Sequence, residues 1–147
     1  NMLANLGVEE NGASLHYFTS QYHHESRALN LLRREPTLVW FTHTAEPLPQ
    51  HVVMKIAEVL PLRKVGIYLH GENNQNPKHL NIFISETAEE DSWVQVVDAD
   101  LEHRAGDHLF TLENAVKGQF VKFEVTDNYG GSGIYISKLY IFAEQEC

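Results

Sequence analysis

Short runs in which apolar and polar side chains alternate occupy most of the chain beyond residue 50. They are rich in Val, Ile, Tyr and Phe, and clusters of Gly, Asn, Asp and Pro separate them. A period of two puts successive side chains on opposite faces of a strand, so the pattern predicts an all-β, antiparallel β-sandwich or barrel. We expect Trp40 and Trp93 in its core. The predicted strands are residues 51–56, 65–69, 80–85, 93–97, 108–112, 120–125 and 134–142.

The first 50 residues carry a weaker pattern. Residues 14–19 (SLHYFT) predict one more strand, and residues 26–32 (SRALNLL) fit either one helical turn or a loop anchored by leucines. Pro36, Pro47 and Pro49 exclude a long helix here, because proline removes a backbone donor and clashes with the preceding turn. With 147 residues and no internal repeat or linker, residues 1–147 are predicted to form a single domain.

The order of several motifs is more specific than the strand pattern alone. This order resembles the galactose-binding-domain-like superfamily, the discoidin or coagulation factor 5/8 type C domains, whose members run A-x-N-L-x-D-G-x-x-x-T-x-W before a series of strands. The resemblance covers roughly residues 14–143 and implies a jelly roll. It rests on ALNLL at 28–32, PTLVWFT at 36–42, PQHVVMKI at 49–56, LRKVGIY at 62–68, PKHLNIFIS at 77–85, WVQV at 93–96, GQFVKF at 118–123 and ISKLYIF at 136–142.

The chain departs from that superfamily at two places. Many members keep an Asp-Gly pair that helps to hold Ca²⁺ where this chain has Arg33, Arg34 and Glu35. A guanidinium cannot ligate a hard cation, so we predict no metal there. We also predict no cofactor. Of the two terminal cysteines that form a disulfide in relatives, only Cys147 is present. Both departures resemble the intracellular members, such as an intraflagellar-transport subunit, ciliary-tip and centrosomal proteins, and the Doc-type subunit of a ubiquitin ligase.

Charge and composition exclude several classes of partner. The chain has 11 Lys and Arg against 20 Asp and Glu, a formal net charge of −9. Such a charge argues against nucleic acid and anionic membranes, which are polyanions, and no apolar stretch approaches the ~18–20 residues of a membrane span. The lone cysteine and the lack of an Asn-x-Ser/Thr sequon favour a cytoplasmic, intracellular location, including the cilium or centrosome, while an extracellular location stays open.

The most polar stretch is residues 70–79 (HGENNQNPKH), between two predicted strands. Amides and imidazoles both donate and accept hydrogen bonds, which suits sugar hydroxyls or a peptide backbone, although Asn and Gly are also ordinary turn residues. We expect residues 43–47 and 127–133 near this stretch at one end of the sandwich, with an aromatic ring able to stack on a sugar or anchor an interface. The candidate ligand-binding residues are His43, His70, Glu72, Asn73, Asn74, Asn76, Asn128 and Tyr129.

Other titratable clusters do not predict catalysis. His23 and His24 are adjacent, so they point to opposite faces of a strand and could share a metal only from an irregular loop. The acidic stretches 88–91 and 98–102 could supply a glycosidase pair, but we interpret them as solvated turns. The sequence contains no recognisable Ser/His/Asp or Cys/His nucleophile set, so we predict that the protein is not an enzyme.

Two functions follow from these observations. The first is a non-catalytic interaction module that docks a protein partner, whose basic surface would match the acidic domain, in an intracellular ciliary, cytoskeletal or ubiquitin-ligase assembly. The alternative is a carbohydrate-binding module in which the 70–79 loop and Tyr129 recognise sugar hydroxyls. A small hydrolase is a third and weaker hypothesis.

Overall fold

A computed structural model describes residues 4–145, which form strands joined by loops and three short 3₁₀ helices. Every strand pair is antiparallel, so the predicted all-β, antiparallel fold is confirmed. No helix of this part of the chain is long and apolar enough to cross a membrane. Cys147 lies outside the described residues. The strands are β1 (Ser14–Phe18), β2 (Trp40–Phe41), β3 (Gln50–Leu69), β4 (Pro77–Ser85), β5 (Val94–Asp100), β6 (Gly106–Asn128), β7 (Tyr135–Ile136) and β8 (Lys138–Ala143), and the 3₁₀ helices are Glu9–Asn11, His24–Ser26 and Ala28–Leu32.

Two long strands connect the layers of the sandwich. The predicted strands 51–56 and 65–69 are parts of β3, and 108–112 and 120–125 are parts of β6. β3 and β6 pair along their length, with register irregularities that break each strand into two segments. The first segment of β3 also pairs with β1, and its second segment pairs with β8. β4 pairs with the second segment of β6, and β5 pairs with β4.

The core is one cluster of buried aliphatic and aromatic side chains between these layers. Trp40 is fully buried, and its indole N–H donates to the backbone carbonyl of Ser20 at 2.8 Å. Trp93 is only half-buried, so the prediction that it belongs to the core is wrong. The ammonium of Lys122 lies 5.9 Å from the centroid of its ring, within the range of a cation–π contact.

The segment before β2 settles the choice between a helical turn and an anchored loop. Residues Ala28–Leu32 form a 3₁₀ turn in which Leu31 and Leu32 are buried. The Asn30 side-chain amide donates to the carbonyls of Glu25 at 2.8 Å and Val39 at 2.9 Å, which satisfies two partly buried backbone acceptors. These two hydrogen bonds connect the 3₁₀ turn to the residue before β2. β2 itself pairs with β7.

Candidate functional site

The loop between β3 and β4 is folded by its own asparagines. The side-chain oxygen of Asn73 accepts the backbone N–H of Gln75 at 2.8 Å, and the carbonyl of Asn73 accepts the N–H of Asn76 at 3.1 Å. The Asn76 amide, which is 1% exposed, donates to the carbonyl of Gly71 at 2.9 Å. This side-chain and backbone pattern is an Asx turn, and it makes the loop compact.

A second loop, between β6 and β7, docks on this one through Gln75. The Gln75 side-chain oxygen accepts the N–H of Gly133 at 2.7 Å, and its backbone carbonyl accepts the N–H of Tyr135 at 3.1 Å. The N–H of Gly131 donates to the carbonyl of Asn74 at 2.9 Å. A Cβ at Gly131 would come within 2.6 Å of that carbonyl oxygen, so only glycine allows the approach. The structure therefore brings residues 70–76 and 127–134 together.

A cavity of about 240 Å³ opens beside the first loop, between it, the segment before β2 and the start of β7. Three of the predicted site residues line it, namely His70, Asn73 and Asn76. Gly71, from the predicted 70–79 stretch, also lines it. Its other walls were not identified from the sequence as part of a site, and these are Thr37, Val39, Tyr135 and Ser137.

The lining combines hydrogen-bonding groups with one aromatic wall. The amide nitrogen of Asn73 and the amide oxygen of Asn76 make no hydrogen bond to residues 4–145, which leaves one donor group and one acceptor for a ligand. Ser137 is fully buried in the wall, and its hydroxyl has no partner within the same described range. The Tyr135 ring is held edge-on by Phe41, with ring centroids 4.5 Å apart. Concave sites of this kind, with a few convergent polar groups, are the usual form of small-ligand sites.

Asn128 and Tyr129, both predicted to contact a ligand, have their polar groups bound within the protein. The Asn128 amide donates to the carbonyls of Gly131 at 3.0 Å and Gly133 at 2.8 Å, so it shapes the second loop. The Tyr129 ring stacks on His103 with ring centroids 4.1 Å apart, and its hydroxyl donates to the carbonyl of Leu101. Neither residue lines the cavity.

His43 lies at the far end of a row of aromatic rings that starts at the cavity. Phe41 contacts Tyr135 at one end and Tyr22 at the other, where the ring centroids are 5.3 Å apart. The Tyr22 ring, 39% exposed, is 5.6 Å from the ring of His43. The Nδ1 of His43 accepts the N–H of Ala45 at 3.0 Å, so the imidazole orders its own turn.

Glu72 and Asn74 are exposed in the first loop and do not line the cavity. Sequence reasoning found the loop but could not rank its members, because all of them are polar turn formers. It missed Tyr135 and Ser137 because residues 134–142 have the pattern of a single strand. The structure interrupts that strand between β7 and β8, where the N–H of Ser137 donates to the carbonyl of Tyr68 at 3.0 Å.

The sequence of this chain matches the model of the F5/8 type C domain over residues 13–138. The chain belongs to the F5/8 type C family. This confirms the resemblance stated from the motif order. None of the curated proteins compared with the chain matches it in sequence.

Solved structures with the same jelly-roll sandwich share little sequence with this F5/8 type C domain. One is CpGH89CBM32-5 from Clostridium perfringens in complex with GalNAc-β-1,3-galactose, with 17% identity over 95% of this chain and 100% of that chain, at a TM-score of 0.80. A second is the family 32 carbohydrate-binding module of C. perfringens NanJ in complex with galactose, with 15% identity over 96% of this chain and 99% of that one, at a TM-score of 0.79. A third is allantoicase, with 15% identity over 96% of this chain but 43% of that chain, at a TM-score of 0.75.

At the position of the Asp-Gly pair in the family motif, this chain has two arginines, and glutamates surround them, namely Glu9, Glu10 and Glu35. Arg33 pairs with Glu9 at 3.1 Å, and Arg34 pairs with Glu10. The Lys138 ammonium donates to the backbone carbonyl of Arg34, and burial together with the Arg34 charge lowers the pKa of Lys138. A hard dication needs oxygen ligands free of competing cations, so these residues do not fit calcium. Among residues 4–145, no three His, Cys, Asp or Glu side chains are grouped as a metal site.

Proposed function

We propose that this F5/8 type C domain is a carbohydrate-binding module, and that the cavity beside the β3–β4 loop binds one sugar ring. The observation that carries the proposal is the lining itself. The Asn73 amide donor, the Asn76 amide acceptor and the apolar face of Tyr135 converge on a space of about 240 Å³. A sugar presents hydroxyls that both donate and accept, and it presents a C–H face that packs on an aromatic ring.

The charge of the cavity favours a neutral ligand. Its lining contains no Asp, Glu, Lys or Arg, and His70 is its only ionisable group besides the Tyr135 phenol. Burial of a polar group without a hydrogen-bond partner costs about 2–7 kcal/mol, and burial of a charged ligand without a fixed counter-charge costs more. A neutral hexose or N-acetylhexosamine avoids that cost. Two structures with the same fold were solved with such ligands, GalNAc-β-1,3-galactose and galactose.

The other predicted site residues act in this proposal by position. Asn128 and Tyr129 order the second loop through their own hydrogen bonds. Backbone N–H groups from that side of the site then donate to the carbonyls of Asn74 and Gln75 in the first loop. His43 and Tyr22 lie along the aromatic row, where a second sugar of an oligosaccharide would pack. No group in the cavity is assigned a chemical step, so the proposed activity is binding and not catalysis.

The test is calorimetric titration of the protein with galactose, N-acetylgalactosamine and N-acetylglucosamine, after a glycan array has ranked the sugar classes. Asn73→Asp keeps the side-chain oxygen that caps the Asx turn and removes the amide donor from the cavity. Asn74→Asp makes the same charge change one residue away, on a side chain that does not line the cavity. We expect millimolar or tighter binding that falls about tenfold in Asn73→Asp and stays near wild type in Asn74→Asp.

Two results would overturn the proposal. One is that no sugar of the array binds the folded protein. The other is that Asn74→Asp weakens binding as much as Asn73→Asp does, which would locate recognition outside the cavity. Unfolding in urea checks that both variants are folded before titration.

The intracellular, ciliary or centrosomal location stays a prediction from the sequence. A protein partner would contact a different surface of the domain, because a cavity of about 240 Å³ is too small for an extended peptide segment.

A further inference from the structure

A shallow groove of about 470 Å³ runs along one side of the sandwich, away from the sugar cavity. One bank is β5 and the other is the first segment of β6. Its floor is apolar, because Val96 and Ala99 of β5 and Phe110 and Val116 of β6 are only partly buried there and pack against the core. The groove does not contact any of the loops that build the cavity.

Both banks present strand edges that have no strand partner among residues 4–145. β5 is the last strand in the order β1-β3-β6-β4-β5, so it pairs only with β4. Residues 106–111 and 116–118 of β6 pair only with β3, whereas residues 120–128 pair with β4 on their other side. Unpaired edges expose backbone donors and acceptors, and another extended chain can hydrogen-bond to them.

The groove is acidic as well as apolar. Asp98 and Glu113 line it, and no Lys or Arg does. The Asp98 carboxylate also makes a hydrogen bond with His79 at 2.7 Å, so Glu113 is the lining carboxylate without a partner among residues 4–145. The loop that enters β5 adds exposed acidic side chains, namely Glu86, Glu89, Glu90 and Asp91. Two basic residues lie beside the β6 bank: Lys117, which follows Val116, and Lys64 of β3, which pairs with Thr111.

This charge selects between two possible occupants. A second copy of this chain, at −9, would bring its own acidic edge against Asp98 and Glu113, and like charges across an interface are unfavourable. A basic segment gains from the same carboxylates. An extended segment with apolar residues at every second position would place them on Val96, Ala99 and Phe110 while its other side chains reach the rim.

We infer that this groove binds an extended peptide segment in which apolar and basic residues alternate, with its main chain along residues 97–100 of β5. These residues pair regularly with β4, beyond the register irregularity at Val96, so their outer edge is the straight part of the bank. Peptide and sugar would bind at separate surfaces, because the groove and the cavity share no lining residue.

The probe is an acetylated heptapeptide of alternating Lys and Val, labelled for fluorescence anisotropy. Two peptides serve as comparisons: one of alternating Glu and Val, and a Lys-Val peptide whose central Val is replaced by Pro, which keeps the charge but disturbs an extended backbone. We expect the Lys-Val peptide to bind, the Glu-Val peptide not to bind, and the proline peptide to bind about tenfold more weakly.

Matched variants locate the binding on the protein. Val94→Lys and Glu113→Lys add positive charge to the groove at exposed positions, and we expect each to weaken the peptide about tenfold. Val59→Lys and Glu58→Lys make the same chemical changes at exposed positions of β3 outside the groove and should leave affinity unchanged. Hydrogen exchange should slow at residues 97–100 when the peptide is bound.

Three results would overturn the inference. The first is that the Lys-Val peptide does not bind at millimolar concentration. The second is that the Val59→Lys and Glu58→Lys controls weaken it as much as the groove variants do, which would indicate attraction to net charge alone. The third is dimerisation of the protein that Val94→Lys abolishes, detected by sedimentation, which would make a second copy the occupant.

Discussion

The ring of His103 lies parallel to the ring of Tyr129, with centroids 4.1 Å apart and planes 9° apart. The Tyr129 hydroxyl also donates to the carbonyl of Leu101, and His103 hydrogen-bonds through Nε2 to the carbonyl of Asn73 at 2.9 Å. The pair therefore joins the turn after β5 to both loops of the candidate sugar site. The two rings stabilise the loops of the site but do not line its cavity.

Substitution of Tyr129 should therefore lower the free energy of unfolding, and it should affect sugar affinity only through the order of the loops. Tyr129→Phe keeps the stack and loses one hydrogen bond, so we expect a loss of about 1 kcal/mol in the free energy of unfolding. Tyr129→Ala loses the stack as well, for about 2 kcal/mol in total. Urea unfolding measures both. If Tyr129→Phe abolished sugar binding at unchanged stability, the hydroxyl would be a ligand contact after all.

Ser137 offers a substitution that should stabilise the protein. Its hydroxyl is buried without a hydrogen-bond partner among the described residues, and an unsatisfied buried polar group costs free energy. Ser137→Ala removes the hydroxyl and leaves a side chain of nearly the same shape, so we expect a gain of about 1 kcal/mol in urea unfolding. Ser14→Ala, at an exposed position of β1, should change stability by less than ~0.5 kcal/mol. A loss of stability in Ser137→Ala would contradict the assignment.

His79 should make stability depend on pH. Its Nδ1 lies 2.7 Å from Asp100 and its Nε2 lies 2.7 Å from Asp98. The hydrogen bond with Asp100 chiefly, and then that with Asp98, raise the pKa of His79. The folded state therefore holds the proton more tightly than the unfolded state. The stabilisation is complete below the unfolded pKa of about 6.5 and is lost as pH rises through the folded-state pKa. The difference in urea midpoint between wild type and His79→Gln should shrink from pH 5.5 to pH 8.5, and a constant difference would contradict this.

His108 should act in the opposite direction. Burial chiefly, and the charge of Arg104, lower the pKa of His108, whose Nε2 lies 3.1 Å from the carbonyl of Arg104. Its neutral form stabilises the fold above a pH of about 6.5, and that contribution is lost as pH falls through the folded-state pKa. Relative to His108→Gln, the wild type should lose stability between pH 6.5 and pH 5. Urea unfolding of His79→Gln and His108→Gln over the same pH range distinguishes the two opposite pH dependences.

Calcium should not affect this domain. Arg33 and Arg34 stand at the Asp-Gly position of the family motif, and the backbone carbonyl of Arg34 already accepts a hydrogen bond from the Lys138 ammonium. Thermal unfolding should give the same midpoint with 1 mM Ca²⁺ as with EDTA, because a ligand stabilises only the state that it binds. Lys138→Met removes the ammonium from the Arg34 carbonyl and should lower stability by about 1 kcal/mol. A rise of several degrees with calcium in the wild type would overturn this reasoning.

Much of the fold follows from local pattern, because a strand with one buried face needs alternating side chains wherever it occurs. The alternation predicted the β-rich second half, and motif order predicted the family. Pattern could not show that residues 51–56 and 65–69 are one strand, since the bend between them depends on β1 and β8 taking opposite ends of β3. Trp93 was assigned to the core from its residue type alone, and no local pattern shows that its ring is half-buried beside Lys122.

Local sequence was enough to predict the polar stretch at residues 70–79 and the acidic charge, and the family motif indicated arginine in place of its Asp-Gly pair. Which of the loop residues face a common space depends on the tertiary structure. Asn73 and Asn76 meet Tyr135 and Ser137 because β2 pairs with β7 and because Gln75 holds the two loops together. A binding site is made by residues distant in the chain, and their distances depend on packing that no single stretch of sequence contains.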